Sequence, residues 1–410
     1  MKSFWIVLLC VSSCIGGFSQ SVNKVVFVIA DGIPADVVEK LHLPHLDTIA
    51  RQGGFTRAHV GGEKGGYSQT PTISAVGYNS LLTGTWVNKH NVWDNDIKAP
   101  DYNYRTIFRF FKEQYPEKKA AVFSSWEDNR TKLVGEGLPA TGGIQLDRHY
   151  DGLENDSVNF PHGRSRDFMH RIDESVVDHA AESISNEGPD LSWVYLEYTD
   201  DMGHMHGDSP EFYAAVEMVD RQMGRLWAAM QTRQQKFHES WTIFITTDHG
   251  RTALNGKGHG GQSDRERNTW IVTNAKGLNA YFKNGNPGIV DIMPTMAGLL
   301  GVKIPREDRM EIDGVSLTGA LSAVDPNAVL KDGKLVVSWK AVSGKGKAKV
   351  WVSTTNLFKE GGKDDYVLMA TVPVAKQEAV IDVSGKGSSF YKIVIETPDN
   401  FLNRWVVVKN

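Results

Sequence analysis

Short apolar runs rich in β-branched residues recur between residues 22 and 320, and they constrain the fold of this chain more than any other feature. The clearest are KVVFVIA, KAAVFSS, LSWVYLEY and WTIFITT, which have the length and composition of strands buried on both faces. Helical stretches separate these runs, and the longest stretch begins at Ser209-Pro210, a favourable helix start. Strands that alternate with helices predict an α/β domain with a mostly parallel sheet sandwiched by helices.

The pattern changes near residue 325. Residues 325–410 contain short strand-like runs separated by turns at intervals of about ten residues, which is typical of a small all-β sandwich. A chain of 410 residues also exceeds what one hydrophobic core usually serves. We therefore predict an α/β domain over residues 21–324 and a β-sandwich of fibronectin-III-like size over residues 325–410.

The first twenty residues predict export to the periplasm or secretion. MKSFWIVLLCVSSCIGGFSQ has one lysine, an apolar run and small residues, which together form a signal peptide too short to span a bilayer stably. Cleavage after Gln20 removes both cysteines. A metal site in the mature chain must then use Asp, Glu or His. The alternative is a lipid anchor at Cys14, as in an outer-surface lipoprotein.

The charge pattern disfavours a nucleic-acid partner. The chain has 45 Lys and Arg against 49 Asp and Glu, and it contains no long basic run. After residue 20, no apolar run is long enough to predict a transmembrane segment.

Aspartate and histidine residues stand where the predicted strands end. They are Asp31 after the first run, Asp200 and His204 after the third, Asp248 and His249 after the fourth, and His259 in the glycine-rich NGKGHGGQ. Because the carboxyl ends of parallel strands meet at one edge of a sheet, we expect these side chains to meet there. Three aspartates would repel one another by roughly 4 kcal/mol per pair at 4 Å, and two divalent ions would offset that repulsion. Oxygen and nitrogen ligands without sulfur suit zinc, with another divalent metal as the alternative.

A hydroxyl nucleophile for such a site lies in TPTISAVGYNSLLTG, residues 70–84. Composition does not choose among the candidates, which are Thr70, Thr72, Ser74, Ser80 and Thr83. A hydroxyl beside two metal ions is a standard arrangement for phosphoryl transfer.

These motifs resemble the alkaline phosphatase superfamily, and most closely its nucleotide pyrophosphatase/phosphodiesterase branch, over about residues 24–320. Ser74 stands nine positions before Thr83-Gly84, as the nucleophile of that family does. The resemblance implies that Ser74 is the nucleophile and that Asn95 contacts a phosphoryl oxygen. It also implies two zinc ions, one held by Asp200, His204 and His259, and the other by Asp31, Asp248, His249 and Ser74. The implied enzyme is a zinc phosphodiesterase that forms a phosphoserine intermediate.

Other positions bear on the substrate. Where monoesterases of this superfamily place a cation after a central strand, this chain has Trp126, Glu127 and Asp128. Acidic groups there would repel a phosphate dianion, which favours a diester with its single negative charge. They would also attract a cation, which favours a head group of the choline or ethanolamine type on a small molecule, lipid or glycan. The alternative is that these acids face solvent or pair with Arg130. His206 is expected either to line the same substrate pocket or only to pack against its neighbours.

Several other functions stay open at this point. Ala75 stands where nucleotide-cleaving relatives have a phenylalanine that stacks on the base, a contact worth roughly 1–3 kcal/mol. The absence of this phenylalanine disfavours a nucleotide substrate. A nucleotide pyrophosphatase is nevertheless kept as an alternative activity, together with a phosphomonoesterase or phosphonate hydrolase of the same superfamily. A sulfatase-like hydrolase is disfavoured by the zinc-type histidines. The intact set of candidate ligands argues against an inactive binding module.

Overall fold

A seven-stranded sheet forms the centre of the α/β domain. The computed structural model describes residues 23–385 and 387–408. The strands are β1 (Asn23–Ala30), β2 (Gly54–His59), β3 (Ala120–Ser124), β4 (Arg148–Tyr150), β5 (Leu191–Leu196), β6 (Ser240–Thr246) and β7 (Asn268–Thr273). Their order is β2-β7-β6-β1-β5-β3-β4, and among these seven described strands β7 alone runs opposite to the other six. The predicted α/β fold is therefore confirmed, and the predicted signal peptide and Cys14 lie outside the described residues.

Helices cover both faces of this sheet. They are α1 (Ala35–Lys40), α2 (Pro44–Ala50), α3 (Ser74–Thr83), α4 (Val87–His90), α5 (Ile107–Gln114), α6 (Asp167–Asn186), α7 (Tyr198–His206), α8 (Pro210–Phe237), α9 (Asp264–Arg267), α10 (Ala280–Asn284), α11 (Ile292–Leu300) and α12 (Arg306–Arg309). Alternate residues of β1 enter separate cores, so that Phe27 packs with residues of α3, α5 and α11, and Val28 with residues of α1, α2, α6 and α8. This explains why the predicted strands are apolar throughout.

The helix predicted from Ser209 is α8. The Ser209 hydroxyl accepts a hydrogen bond from the Phe212 N–H at 3.3 Å, and Pro210 occupies the first helical position, as predicted. Of the helices in the described part of the chain, none combines the length and the apolar character that crossing a membrane requires.

Two antiparallel sheets form the C-terminal sandwich. Their strands are β8 (Ala323–Lys331), β9 (Lys334–Ala341), β10 (Lys347–Ser353), β11 (Val367–Pro373), β12 (Glu378–Asp382), β13 (Phe390–Glu396) and β14 (Phe401–Val407), in the orders β12-β9-β8 and β11-β10-β13-β14. Strand β8 was not predicted from the sequence. Its register shifts between Val324 and Asn327, and its Asp325 has a φ of 52°. An irregularity of this kind hides the alternation by which a strand is recognised.

Buried lysines join the sandwich to the α/β domain. Lys89 of α4 is fully buried, and its Nζ donates to the Glu311 carbonyl, to Asp313 Oδ1 and to Asn403 Oδ1 of β14 at 2.6, 2.7 and 2.6 Å. Lys392 of β13 is also buried and donates to Glu311 Oε1 at 2.6 Å. Of these contacts, the ones that cross between the two units are the hydrogen bond from Lys89 to Asn403 and the ion pair of Lys392 with Glu311.

A second buried residue of α4, His90, makes the fold sensitive to acid. The Val92 N–H donates to His90 Nδ1 at 3.1 Å, and His90 Nε2 lies 3.0 Å from the Ser80 hydroxyl, so the neutral ring is satisfied. Burial lowers the pKa of His90 to about 3. Because an unfolded histidine has a pKa of about 6.5, the unfolded state binds the extra proton, and stability falls as the pH drops below that value.

We therefore expect His90→Gln to reduce the acid sensitivity of the fold. Between about pH 7 and about pH 4.5, its free energy of unfolding should fall by about 2–3 kcal/mol less than that of the wild type. Urea unfolding of chelator-treated protein measures this difference. His179→Gln changes an exposed histidine and should follow the wild-type pH dependence. Parallel curves for His90→Gln and wild type would contradict the prediction.

Candidate metal centre

Three neighbouring strands bring the predicted metal ligands to one edge of the sheet. Asp31 directly follows β1, and Asp248 and His249 follow β6 after one intervening residue. Asp200 and His204 lie on α7, which begins two residues after the end of β5. Because β6, β1 and β5 are adjacent in the sheet and their carboxyl ends point the same way, these side chains converge.

Asp31, Asp248 and His249 form a fully buried cluster. His249 Nε2 lies 3.3 Å from Asp31 Oδ1 and 3.3 Å from Asp248 Oδ2. The other oxygen of Asp31 accepts hydrogen bonds from the hydroxyls of Tyr78 and Tyr195, the latter at 2.8 Å. Burial, together with repulsion from Asp31, raises the pKa of Asp248 well above its usual range. The cluster therefore concentrates negative charge where water does not compensate it.

This cluster fits a bound cation. Among the described residues, none donates a hydrogen bond to Asp31 Oδ1 or Asp248 Oδ2, although both atoms are buried. His249 Nδ1 lies 2.9 Å from the Gly250 carbonyl, which assigns the N–H to Nδ1 and turns Nε2 toward the two carboxylates. Burial lowers the pKa of His249, but Asp248 and Asp31 outweigh burial and raise it to about 9. The position between these atoms thus favours positive charge.

Asp200, His204 and His259 form a second, more open cluster beside the first. His204 Nε2 lies 3.1 Å from Asp200 Oδ2 and 3.0 Å from His259 Nε2, and His259 Nε2 lies 3.9 Å from Asp200 Oδ1. His259 Nδ1 lies 2.9 Å from the Thr72 carbonyl, so its Nε2 also faces the cluster. Ligand atoms of Asp200, His249 and His259 lie within 4.8 Å of one another, so the two clusters are contiguous. Carboxylate oxygens and imidazole nitrogens at these separations suit a divalent metal ion.

Ser74 is the hydroxyl that faces these clusters. It is the first residue of α3, and its Oγ lies 3.4 Å from His249 Nε2. The hydroxyls of the other candidates donate to backbone carbonyls at 2.7–2.9 Å, and these residues are Thr70, Thr72, Ser80 and Thr83. The contacts of the five hydroxyls thus distinguish Ser74 from the other four candidates, which composition alone could not do.

Asn95 lies next to this nucleophile candidate. Its Oδ1 accepts a hydrogen bond from the Ala75 N–H at 3.0 Å, which leaves the two Nδ2 hydrogens as donors. Ser74 and Asn95 line the same cavity of about 280 Å³, together with Asp31 and Asp200. The cavity is large enough for a phosphate ester with a small substituent.

The wall of this cavity differs from the sequence prediction. Trp126 lines the cavity, whereas Glu127, Asp128 and His206 are absent from its lining. A short helical segment, Asn129–Val134, follows β3 after four intervening residues, and it brings Arg130 within 3.4 Å of Glu127 and Lys132 within 2.7 Å of Asp128. Both acids are therefore engaged locally, as the alternative interpretation held for Glu127. His206 is exposed at the end of α7 and lies outside the cavity lining.

Residues that the sequence analysis did not select complete the wall. The polar ones are Glu154, His162, Arg166 and Glu197, and the apolar ones include Phe168, Met169 and Tyr195. Arg166 donates from Nε to Asp201 Oδ2 at 2.6 Å and from Nη2 to Glu197 Oε1 at 2.9 Å. Glu197 follows β5 directly and shares the strand-end signal of Asp31, whereas Glu154 and Arg166 lie in an irregular segment that carries no such signal.

Comparisons with known proteins point to one family. The model of the family described as type I phosphodiesterase/nucleotide pyrophosphatase matches residues 25–296, more than half of the chain. Ectonucleotide pyrophosphatase/phosphodiesterase family member 7 of Mus musculus is 25% identical over 333 residues, which are 74% of this chain and 65% of that protein. A venom phosphodiesterase of Crotalus durissus collilineatus is 24% identical over 271 residues, which are 61% of this chain and 29% of that protein. The chain thus spans less than two thirds of the length of these relatives.

Solved structures share the fold with little sequence identity. A 2-O GAG sulfatase superposes with a TM-score of 0.51 at 12% identity, over 89% of this chain and 86% of that chain. At this identity the likeness concerns the fold alone.

Proposed function

Because the chain belongs to the type I phosphodiesterase/nucleotide pyrophosphatase family, we propose that it hydrolyses phosphate diesters through a phosphoserine intermediate on Ser74. The observation that carries the proposal is the position of the Ser74 hydroxyl, 3.4 Å from His249 Nε2 at the contiguous acidic clusters. In this assignment Asp200, His204 and His259 hold one zinc ion. Asp31, Asp248 and His249 hold the other, toward which Ser74 is directed.

Different residues of the chain have different roles in the proposed reaction. When bound, the two ions supply positive charge that favours the serine alkoxide and offsets negative charge on the phosphoryl oxygens. Ser74 Oγ forms a bond to phosphorus while the bond from phosphorus to the leaving alcohol oxygen breaks. Water then cleaves the phosphoserine and restores the hydroxyl. In this assignment the positive end of the α3 dipole and the Asn95 amide hydrogens would stabilise the negative charge of the phosphoryl oxygens.

The charge around the cavity favours a diester over a monoester. Arg166 is the one Lys or Arg side chain among the described residues that line it, and Glu197 and Asp201 already compensate its charge. A phosphate monoester carries a second negative charge that calls for an uncompensated cation. We expect kcat/KM for bis-(p-nitrophenyl) phosphate to exceed that for p-nitrophenyl phosphate by at least about tenfold. Preference for the monoester would overturn the assignment.

We further propose that the substrate carries a cationic head group of the choline or ethanolamine type. Glu154 Oε2 is buried and accepts no hydrogen bond from any described residue, and Trp126 lines the same cavity. A carboxylate beside an aromatic ring favours an ammonium group. Glu154 thus takes the role that the sequence analysis gave to Glu127 and Asp128. Such a head group occurs on small molecules, lipids and glycans.

Glu154→Gln tests this assignment. We expect kcat/KM for p-nitrophenyl phosphocholine to fall by about tenfold, and kcat/KM for bis-(p-nitrophenyl) phosphate to stay within about twofold of wild type. Glu127→Gln, which changes an acid outside the cavity, should leave both values unchanged. An equal fall for both esters, or a preference of the wild type for nucleotide esters, would refute the head-group proposal.

We also propose that the enzyme acts after export. The support is the sequence of residues 1–20, which combines a lysine, an apolar run and small residues. Mass spectrometry of the mature protein should find Ser21 at its N-terminus. A diacylglycerol on Cys14 would instead establish the lipoprotein alternative.

A further inference from the structure

Arg251 is a buried cation in contact with the candidate metal ligands. Its side chain is fully buried, and Nη2 donates to the Asp200 carbonyl at 2.7 Å and also contacts Asp200 Oδ1. Nε donates to the Gly32 carbonyl at 3.0 Å, and the guanidinium lies 5.6 Å from the centre of the Phe212 ring. These partners come from separate elements, so they hold the guanidinium in one position.

Two glycines make room for this guanidinium. A β carbon at Gly32 would lie 2.9 Å from Arg251 Nη2 and 2.6 Å from Asp200 Oδ1, and one at Gly203 would overlap the guanidinium itself. Gly32 also has a φ of 68°, which other residues rarely adopt. Gly32 and Gly203, which lie against the guanidinium, therefore both lack a side chain. The backbone at these positions leaves the space that the ion pair of Arg251 with Asp200 occupies.

The contact determines how Asp200 can bind an ion. Oδ1 is engaged by Arg251, whereas Oδ2 lies 3.1 Å from His204 Nε2. Asp200 therefore offers one oxygen to an ion that His204 and His259 share. Groups in the second shell of a metal site commonly orient its ligands in this way.

The two clusters consequently differ in charge. Asp200 is the one carboxylate of the open cluster, and Arg251 compensates it. The buried cluster has two carboxylates, Asp31 and Asp248, and among the described residues no Lys or Arg forms an ion pair with either. A unit charge within a few ångströms of a partly solvated site changes its affinity for a cation by about 10- to 100-fold.

We infer that Arg251 is a positioning residue that makes the ion held by Asp200, His204 and His259 the exchangeable one of the pair. This inference rests on the proposed two-metal function. The ion between Asp31, Asp248 and His249 is retained, because no protein cation opposes it. The enzyme thus keeps one ion firmly and takes up the second as the free metal concentration allows.

The test is a chelator titration of the full chain, with zinc per chain measured by inductively coupled plasma mass spectrometry. Wild type should release its ions in two phases. Arg251→Met should shift the first phase to a free zinc concentration about 10- to 100-fold lower, and Arg251→Lys, which keeps the charge, should shift it by less. Arg233→Met is the matched control, since Arg233 is also buried and paired with a carboxylate, Glu239, and should release zinc as wild type does.

His204→Ala identifies the ion that leaves first, whether or not Arg251→Met folds. We expect this variant to hold one zinc ion and to lack the first phase of release. A wild type that releases two ions together, or an Arg251→Met that releases its first ion at the wild-type concentration, would overturn the inference alone. A wild type that never holds a second ion would overturn the two-metal function as well.

Discussion

Ser74→Ala should lower kcat for bis-(p-nitrophenyl) phosphate by about 10³-fold or more while the protein retains both metal ions. Alanine offers no oxygen to phosphorus, so the phosphoserine cannot form. Removing this hydroxyl leaves the backbone of α3 unchanged, and Asp31, Asp248 and His249 remain as candidate ligands of the ion toward which Ser74 is directed. Initial rates together with zinc content by plasma mass spectrometry measure the two halves of the prediction.

Ser80→Ala is the control for this prediction. Ser80 lies on the same helix and is also buried, but its hydroxyl donates to the Val76 carbonyl at 2.7 Å and does not face the clusters. Losing that hydrogen bond and the contact with His90 Nε2 should cost about 1–3 kcal/mol of stability and leave kcat within about twofold of wild type. If Ser74→Ala kept about a tenth of the activity or more, another hydroxyl would have to be the nucleophile.

Asp200→Ala and His259→Ala should each retain one zinc ion instead of two and lose about 10²-fold or more in kcat. Both residues belong to the open cluster, where His259 Nε2 lies 3.0 Å from His204 Nε2. Removing a ligand leaves too few donors to hold an ion there, and the leaving oxygen then loses the positive charge that stabilises it. Zinc content and the rate of diester hydrolysis measure the effect.

Asp208→Asn is the control, because Asp208 belongs to the same acidic stretch of sequence but pairs with Arg265 at 2.8 Å. We expect it to hold two ions and to retain its activity. Two zinc ions in both Asp200→Ala and His259→Ala would contradict the ligand assignment. A variant that has lost one ion but keeps full activity would contradict the role of that ion.

Much of the fold follows from local patterns. A strand buried on both faces must be apolar throughout, and KVVFVIA therefore identified β1 without any tertiary information. A serine before a proline and an amphipathic stretch marked the start of α8 for the same reason. β8 was not predicted, although it has nine residues, because the irregularity near Asp325 interrupts its alternation.

The candidate ligands could be found in the sequence because their positions are tied to secondary structure. Asp31 and Asp248 follow neighbouring parallel strands, and the carboxyl ends of parallel strands lie at the same edge of the sheet. Asp200 and His204 are four residues apart on α7, so they share a face of the helix. Their convergence at one edge of the sheet follows from the strand order.

The wall of the cavity was decided by the tertiary structure alone. Glu127 was expected in the cavity, yet Arg130, one helical turn away, engages it, and Glu154 from an irregular segment lies there instead. The contact of Arg251 with Asp200 likewise joins residues 51 positions apart. By itself, therefore, the sequence determined the α/β fold and the edge of the sheet at which Asp and His residues gather, because strand patterns are local and the carboxyl ends of parallel strands lie at one edge of a sheet. The lining of the cavity and the pairing of Arg251 depend on single contacts between distant segments, and no short stretch of sequence encodes such contacts.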